Sequence, residues 1–412
     1  KSIKKYNTGV ILGNTLTGEW TRTNAMRMRW PHVRDSMIAA ANAHGIVDEN
    51  FEEYLKTTEE AFKSVFPDVT EDTLSGALSN TIAGRVCNFL DLHGGGYTID
   101  GACSSSLLAV INAAQSLNNG DLDVAFAGGI DISLDTFELI GFAKTGALTD
   151  SDMRVYDKRA SGFIPGEGCG FIILKRLEDA IADGDQVLAT LNGWGISSDG
   201  KGGLTAPSVR GQSQAIQTAY GMADYGLKDV DFIEGHGTGT PLGDRVEVGA
   251  LADALKKEEG HETASIGLTS LKTIIGHAKA AAGIGALIKA IISVNRRVVP
   301  PLAGSEFPHA IFNEEAKHLY PLIDGYTQDE STDLIAGVSA MGFGGINSHV
   351  TLKSGPEVSD ELEPEWSEDQ LMASYDKFEV FPFSSEDVAG LKEEIQQTMA
   401  VADKMARGEM LD

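Results

Sequence analysis

Short apolar segments closed by glycine, each answered by a helix-like stretch, constrain this chain more than any other feature of its sequence. A first series holds TGVILGN (residues 8–14), YTID running into GACSSSLLAV, DVAFAGGIDIS (123–133) and GCGFIILK with a helix from about Leu177. Between these lie a mostly helical region over 20–63, in which TTEEAFKSVF carries a capping threonine and an acidic first turn, the helix SNTIAGRVCNFL, and the short helix FELIGFAKTGAL. A second series holds VLATLNGWGISSDG, a helix through RGQSQAIQTAYG, DFIEGHG, a helix over 244–257, SIGLTSLK, a helix through AAAGIGALIKAIISV, and the paired strands LIAGVSAMGFG and SHVTLKSG. Strands alternating with helices predict mainly parallel βαβ architecture, with reactive groups at the carboxyl ends of strands. Two such series predict a duplicated, layered α/β fold, without an evident sequence repeat.

Domain limits follow from a composition shift after Gly355. Residues 1–355 read as one folded unit, and 356–374, containing SDELEPEWSEDQ, as an acidic solvated linker. Residues 375–412 begin something new, with a strand KFEVFPFSS and an amphipathic helix EDVAGLKEEIQQTMAVADKM.

Within the first series, residues 97–110 stand out. A β-prone tetrad meets the small corner Gly101–Ala102, and a helical apolar pattern starts at Leu107. This strand–turn–helix layout is a nucleophile elbow, with Cys103 held at the mouth of a helix whose partial positive charge favours a thiolate near neutral pH. A free cysteine is equally at home as a small buried hydrophobe, so the stretch alone leaves both readings open.

The formal charge of −27 argues against a nucleic-acid or anionic-membrane surface. Arg22, Arg27, Arg29 and Arg34 lie close together in the opposite sense, either as a polar helix face or as a site for an acidic partner or phosphate. Three widely spaced cysteines suggest neither disulfides nor a metal site and fit a reducing cytoplasm. No signal-peptide layout or long apolar run is evident.

Three further glycine-framed segments present polar groups after apolar strands. IEGHGTGTPLGD places His236 at a strand end, followed by the hydroxyls of Thr238 and Thr240; GLTSLKTIIGHAKAAAG carries Lys272 and His277; GVSAMGFGGINSH carries Phe343 in a flexible glycine run whose N–H groups suit an oxyanion. A lone histidine is usually structural. Two of them, framed by glycine at strand ends and accompanied by an elbow cysteine, suit acyl transfer followed by carbon–carbon bond formation. The thiolate takes an acyl group from a thioester, neutral imidazoles donate Nε2–H to a second thioester carbonyl, and a lysine cation keeps a histidine neutral. No metal is required.

DGACSSSL, EGHGTGTPLGD, KTIIGHAKAAAGIGALIK and GFGGINSH, in this order, resemble the β-ketoacyl synthase domains of polyketide and fatty-acid synthases over residues 8–353. The resemblance implies a thiolase-like αβαβα sandwich with two similar mixed sheets, normally a homodimer. It implies Cys103 as nucleophile, His236 and His277 as the catalytic pair, Lys272 as supporting lysine, and Cys103 and Phe343 N–H groups as the oxyanion hole, with Phe343 as gate. Thr238 and Thr240 match positions contacting phosphopantetheine, so substrates arrive on an acyl carrier protein and no cofactor is bound. Gly101, where most relatives carry threonine, and GFAKTGALTDSDMRVYDKRASGFIPGEGCG are similar to iterative enediyne-type and polyunsaturated fatty-acid synthases.

Departures from the pattern matter as well. The family's first strand and a following helical region are not recognisable before residue 8, so an inner strand is expected to be missing and a sheet edge exposed. Lys279 stands where many relatives carry glutamate, leaving Glu247, with Asp244 beside it, as the expected carboxylate support of Lys272. Met341 replaces a frequent phenylalanine. Residues 375–412 resemble the start of the linker to an acyltransferase domain. A thiolase would need a second catalytic cysteine near GFGGINSH, and Cys87 and Cys169 are poorly placed for it. A non-catalytic scaffold or chain-length partner is the other alternative.

Overall fold

The computed structural model describes residues 7–16, 18–201, 206–329, 331–356, 390–393, 395–396 and 398–399. Two units divide the chain, 1–358 and 359–412. Of the second, residues 390–393, 395–396 and 398–399 are helical, inside the expected amphipathic helix; the expected KFEVFPFSS strand lies outside the described residues, as does the acidic linker beyond residue 356.

The first half of the larger unit runs β1 (Thr8–Gly13), α1 (Glu19–Met28), α2 (Trp30–His44), α3 (Phe51–Ser64), α4 (Asp72–Ala77), α5 (Asn80–Leu90), β2 (Gly96–Ile99), α6 (Ser105–Asn118), β3 (Val124–Asp131), α7 (Thr136–Lys144), β4 (Gly168–Lys175) and α8 (Leu177–Asp183). The second half runs β5 (Ala189–Ser198), α9 (Val209–Tyr220), β6 (Phe232–Glu234), α10 (Pro241–Leu255), β7 (Ile266–Thr269), α11 (Lys272–Ile275), α12 (Ala282–Arg296), β8 (Val298–Val299), α13 (Ile311–Glu314), β9 (Leu319–Pro321), β10 (Tyr326–Thr327), β11 (Ile335–Gly342) and β12 (Ile346–Ser354).

The two halves build similar sheets. In one, β2, β1 and β3 are parallel and β4 closes antiparallel; in the other, β7, β6 and β11 are parallel and β12 closes antiparallel. The second sheet extends further, with β5 antiparallel outside β12 and β9 parallel outside β7. No interior gap exists in the first sheet: β1 pairs directly with β3, Thr8 opposite Val124. The expected exposed interior edge is thus closed by this pairing, while the first sheet holds four strands against six in the second and no strand precedes β1 among the described residues. The sheets also differ beyond their antiparallel strands, because β12 is covered by β5 whereas β4 borders an apolar groove of about 750 Å³ alongside α12.

Helices α6 and α12 lie between the sheets and touch both. A helix facing sheets on two sides must be apolar nearly all round, and α6 is: Leu107, Leu108, Val110, Ile111 and Leu117 are all buried. Each such side chain contributes about 2 kcal/mol. Outside, α9 covers β5 and β12 while α5 covers β1 and β2, completing alternating α and β layers. One local expectation fails here. Thr57 does not cap a helix; it lies inside α3, and its hydroxyl donates back to the Glu53 carbonyl at 3.0 Å, because α3 starts earlier, at Phe51. Among the described residues no helix is long and apolar enough to cross a membrane.

Candidate active site

The strand β2 ends at Ile99, Ala102 takes a left-handed φ of +50°, and Ala102–Ser104 form one 3₁₀ turn before α6. A positive φ at a non-glycine residue is strained and persists only where the surroundings over-determine it. Three serines supply that constraint. Ser105 Oγ accepts from Gly101 N at 2.9 Å and donates to the Ala102 carbonyl at 2.6 Å; Ser104 Oγ meets the Ala340 carbonyl and Ser348 Oγ on the second sheet; Ser106 Oγ accepts from Ile284 N on α12. Asp100 Oδ1 takes the Ala102 N–H. The serine run after the cysteine thus pins the elbow to both halves, a task its sequence did not disclose.

Cys103 is part-buried on this turn. Burial pushes its thiol up to about 11; Lys272 and Lys279 oppose that rise and Asp131 adds to it. A rise from 9.0 to about 11 corresponds to roughly 2.7 kcal/mol, more than the ~2 kcal/mol a helix N-terminus supplies at best. The expected resting thiolate is corrected: at neutral pH the group is a thiol, because desolvation outweighs the helix field.

His236 follows β6, and His277 lies between α11 and α12; their rings stand perpendicular with centroids 5.6 Å apart. Each Nδ1 accepts a backbone N–H, His236 from Met341 at 3.3 Å and His277 from Lys279 at 3.1 Å. Both imidazoles therefore carry their proton on Nε2. Burial, then Lys272, holds both well below the ordinary histidine range, so they are neutral donors. Phe163 packs edge-on to His277 at 4.9 Å.

Lys272, the first residue of α11, is 4% exposed. Burial lowers its pKa, and the carboxylates of Glu234 and Glu247 oppose this. Glu247 makes no ion pair with Lys272 within 4 Å, so its support of the lysine is electrostatic and not a direct contact. Its oxygens are spent on His236 N at 2.6 Å, Gly237 N at 2.8 Å and the Tyr156 hydroxyl at 3.0 Å, which hold the loop carrying His236. Asp244, pushed up to about 7 chiefly by burial, accepts from Tyr156 N at 2.7 Å and Gly239 N at 3.0 Å. Sequence reasoning missed Glu234, which accepts from Leu271 N and pairs with Lys289 at 2.7 Å. A charged residue ending a strand was the available signal.

Thr238 and Thr240 share a hydroxyl–hydroxyl contact of 3.0 Å at the start of α10. Phe343, directly after β11, is 44% exposed and packs on Phe142 at 6.4 Å, which in turn meets Phe163. An aromatic chain thus links the Phe343 loop to His277, and Gly344 and Gly345 beyond it have φ of +98° and +79°. Arg22 pairs with Asp135, and Arg27 with Asp68 at 2.6 Å and the Phe66 carbonyl at 3.1 Å, so for these two the structural reading of the arginine cluster prevails.

Gly342 decides how closely β11 approaches the elbow. A Cβ there would lie 2.1 Å from the Gly101 carbonyl oxygen, a backbone atom that cannot yield locally. Gly342→Ala is expected to lower the melting temperature by several degrees, about 1–3 kcal/mol of overpacking, and to slow iodoacetamide labelling of Cys103. Calorimetry and peptide mass spectrometry read the two effects.

The β-ketoacyl synthase N-terminal domain family matches residues 2–180, and its C-terminal domain counterpart matches residues 188–306. The chain belongs to the β-ketoacyl synthase family. One polypeptide of the polyunsaturated fatty acid synthase of Thraustochytrium sp. is 36% identical over 324 residues, 76% of this chain and 11% of that protein. One polypeptide of the phenolphthiocerol/phthiocerol polyketide synthase of Mycobacterium tuberculosis is 40% identical over 290 residues, 69% of the chain and 15% of that protein. Among solved structures, an oxazolomycin ketosynthase domain of Streptomyces albus JA3453 superposes with a TM-score of 0.69 at 29% identity, over 85% of this chain and 56% of that one. The module 6 ketosynthase of the Bacillus subtilis 168 bacillaene synthase superposes with a TM-score of 0.66 at 32% identity, over 71% of this chain and 53% of that one. The expected thiolase-like ketosynthase fold is thereby established. This β-ketoacyl synthase chain spans a small part of its curated relatives and just over half of the solved ketosynthases.

Proposed function

We propose that the site performs decarboxylative Claisen condensation, joining an acyl group held on Cys103 to a malonyl extender, both delivered on the phosphopantetheine of an acyl carrier protein. The observation that carries this reading is the pair of neutral, perpendicular imidazoles, both protonated on Nε2, beside a cysteine elbow. In the first step the Cys103 thiol attacks the acyl thioester and its proton leaves with the pantetheine thiol. The N–H groups of Cys103 and Phe343 stabilise the oxyanion; the neighbouring donors Gly101 N and Ala102 N are already engaged. In the second step the imidazoles donate Nε2–H to the malonyl thioester carbonyl, holding the enolate that forms as carbon dioxide departs. The enolate attacks the acyl–Cys103 carbonyl, and the released sulfur regains a proton.

Phe343 is the gate between the half-reactions, and Thr238 and Thr240 contact the pantetheine arm. Lys272 keeps both imidazoles neutral by like-charge repulsion. Asp244 and Glu247 support the His236 loop. Partners are the acyl carrier protein, an adjoining acyltransferase domain and a second copy of the chain.

Reconstitution with acyl- and malonyl-carrier protein tests the reading by mass spectrometry of the carrier. A two-carbon-extended β-ketoacyl product is expected. Product from acetyl-coenzyme A but not from malonyl thioester indicates a thiolase, and a folded protein that takes up no acyl group indicates a scaffold.

A further inference from the structure

Lys279 lies two residues beyond the second histidine, and the condensing chemistry assigns it no task. Its side chain is buried. The ammonium lies 3.0 Å from Asp131 Oδ1 at the end of β3, 3.0 Å from the Gly166 carbonyl and 3.5 Å from Glu138 Oε2 on α7. The backbone of Lys279 adopts φ +48°, and from that conformation its N–H reaches His277 Nδ1. Ala280 N–H then donates to the other Asp131 oxygen at 3.2 Å, and Gly166 N–H donates to the His277 carbonyl at 2.9 Å. One ammonium and one carboxylate therefore join β3, the loop before β4 and the turn that presents His277.

This pair also reaches the nucleophile. The Lys279–Ala281 turn packs against the Ala102–Ser104 turn, so Lys279 and Asp131 act on the Cys103 thiol in opposite senses. The charged groups around the pair come from three other elements. Glu138 on α7 faces the ammonium; Arg22 on α1 approaches Glu138 at 3.6 Å and pairs with Asp135; Lys272 on α11 is the other cation acting on Cys103 and His277. Ser133 Oγ lies 2.7 Å from both Asp131 and Glu138. Removing either member of such a buried pair leaves the other uncompensated, whereas removing both does not.

Building on the proposed condensation, we propose that Lys279 is a positioning residue: its ammonium, clamped by Asp131 and the Gly166 carbonyl, locks the left-handed turn that aims His277 and places a fixed positive charge behind Cys103. Asp131 is the counter-charge that sets how much of that field the thiol feels. The two charges tune the nucleophile while the clamp they form orients the decarboxylating histidine.

Iodoacetamide alkylation of Cys103, followed by peptide mass spectrometry between about pH 7.5 and 9.5, reads the thiolate fraction without any substrate. Lys279→Met is expected to slow alkylation about tenfold and Asp131→Asn to speed it about tenfold across that range, as one unit of thiol pKa requires. The double variant Lys279→Met/Asp131→Asn is expected to alkylate within about threefold of wild type, yet decarboxylate malonyl-carrier protein at least ~10-fold more slowly, its histidine turn having lost the clamp. Alkylation unchanged in both single variants, or wild-type decarboxylation in the double variant, overturns the assignment. If Lys279→Met does not fold, the near-isosteric Asp131→Asn decides alone: unchanged alkylation overturns it. Failure of the condensing reading looks different, since Cys103 would then alkylate as expected in every variant while wild type takes up no acyl group.

Discussion

Cys103→Ala is expected to leave no acyl adduct detectable by intact-protein mass spectrometry after incubation with an acyl thioester, while wild type gains the mass of one acyl group. Cys103 alone sits on the strained elbow; Cys87 lies within α5 and Cys169 on the exposed edge strand β4. In the proposed mechanism the substitution removes the nucleophile and with it the covalent route, a loss on the order of 10⁶ where such residues act as a unit. The fold should persist, because the substitution deletes one sulfur and leaves the serine anchors in place. Persistent acylation of the variant would sink the condensing mechanism. Because burial holds the wild-type thiol near 11, labelling by iodoacetamide should keep rising with pH through 9 rather than level off near 7. A plateau at neutral pH would show that a resting thiolate exists after all.

The second large effect is expected at His277. His277→Ala should cut decarboxylation of malonyl-carrier protein by about 10²–10³, the cost of one preorganised oxyanion donor, while acyl loading of Cys103 stays within about threefold. In the proposed mechanism the split arises because the His277 Nε2–H serves the second half-reaction and the elbow N–H groups serve the first. Radiolabelled carbon dioxide release and adduct mass measure the two separately, and equal losses in both would contradict the division of labour. Burial and Lys272 hold both imidazoles well below 6.5. Protonation would take them out of the neutral state only far below that value, so the decarboxylation rate of wild type should show no acid limb centred at pH 6.5.

Much of this arrangement is local and so was legible. The elbow needs only a strand, two small residues and an apolar helix in succession, and residues 97–110 display them. His236 and His277 were found by their glycine frames, which mark chain turns, one after β6 and the other between α11 and α12, where a strand end had been expected. The duplicated sheets were anticipated from two runs of alternating strands and helices. Less legible was everything that depends on pairing across the chain. Glu247 acts on Lys272 without touching it and spends its oxygens as a backbone acceptor for the His236 loop. Glu234 meets Lys289, and Asp131 meets Lys279, only because the fold brings the ends of β6 and β3 against α12 and the turn before it. The thiol was expected to ionise because a helix start is visible in sequence whereas desolvation is not.

By itself, then, the sequence determined the order of elements, the elbow, the identity of the cysteine and histidines, and the family, since these rest on short-range periodicity and contiguous motifs. The tertiary structure alone decided the histidine tautomers, the protonation state of Cys103, the tasks of the three serines and the counter-ions of the buried lysines. Each of these depends on which distant backbone groups and charges are brought within a few ångströms and how much water is excluded there, and neither quantity is carried by any local stretch of chain.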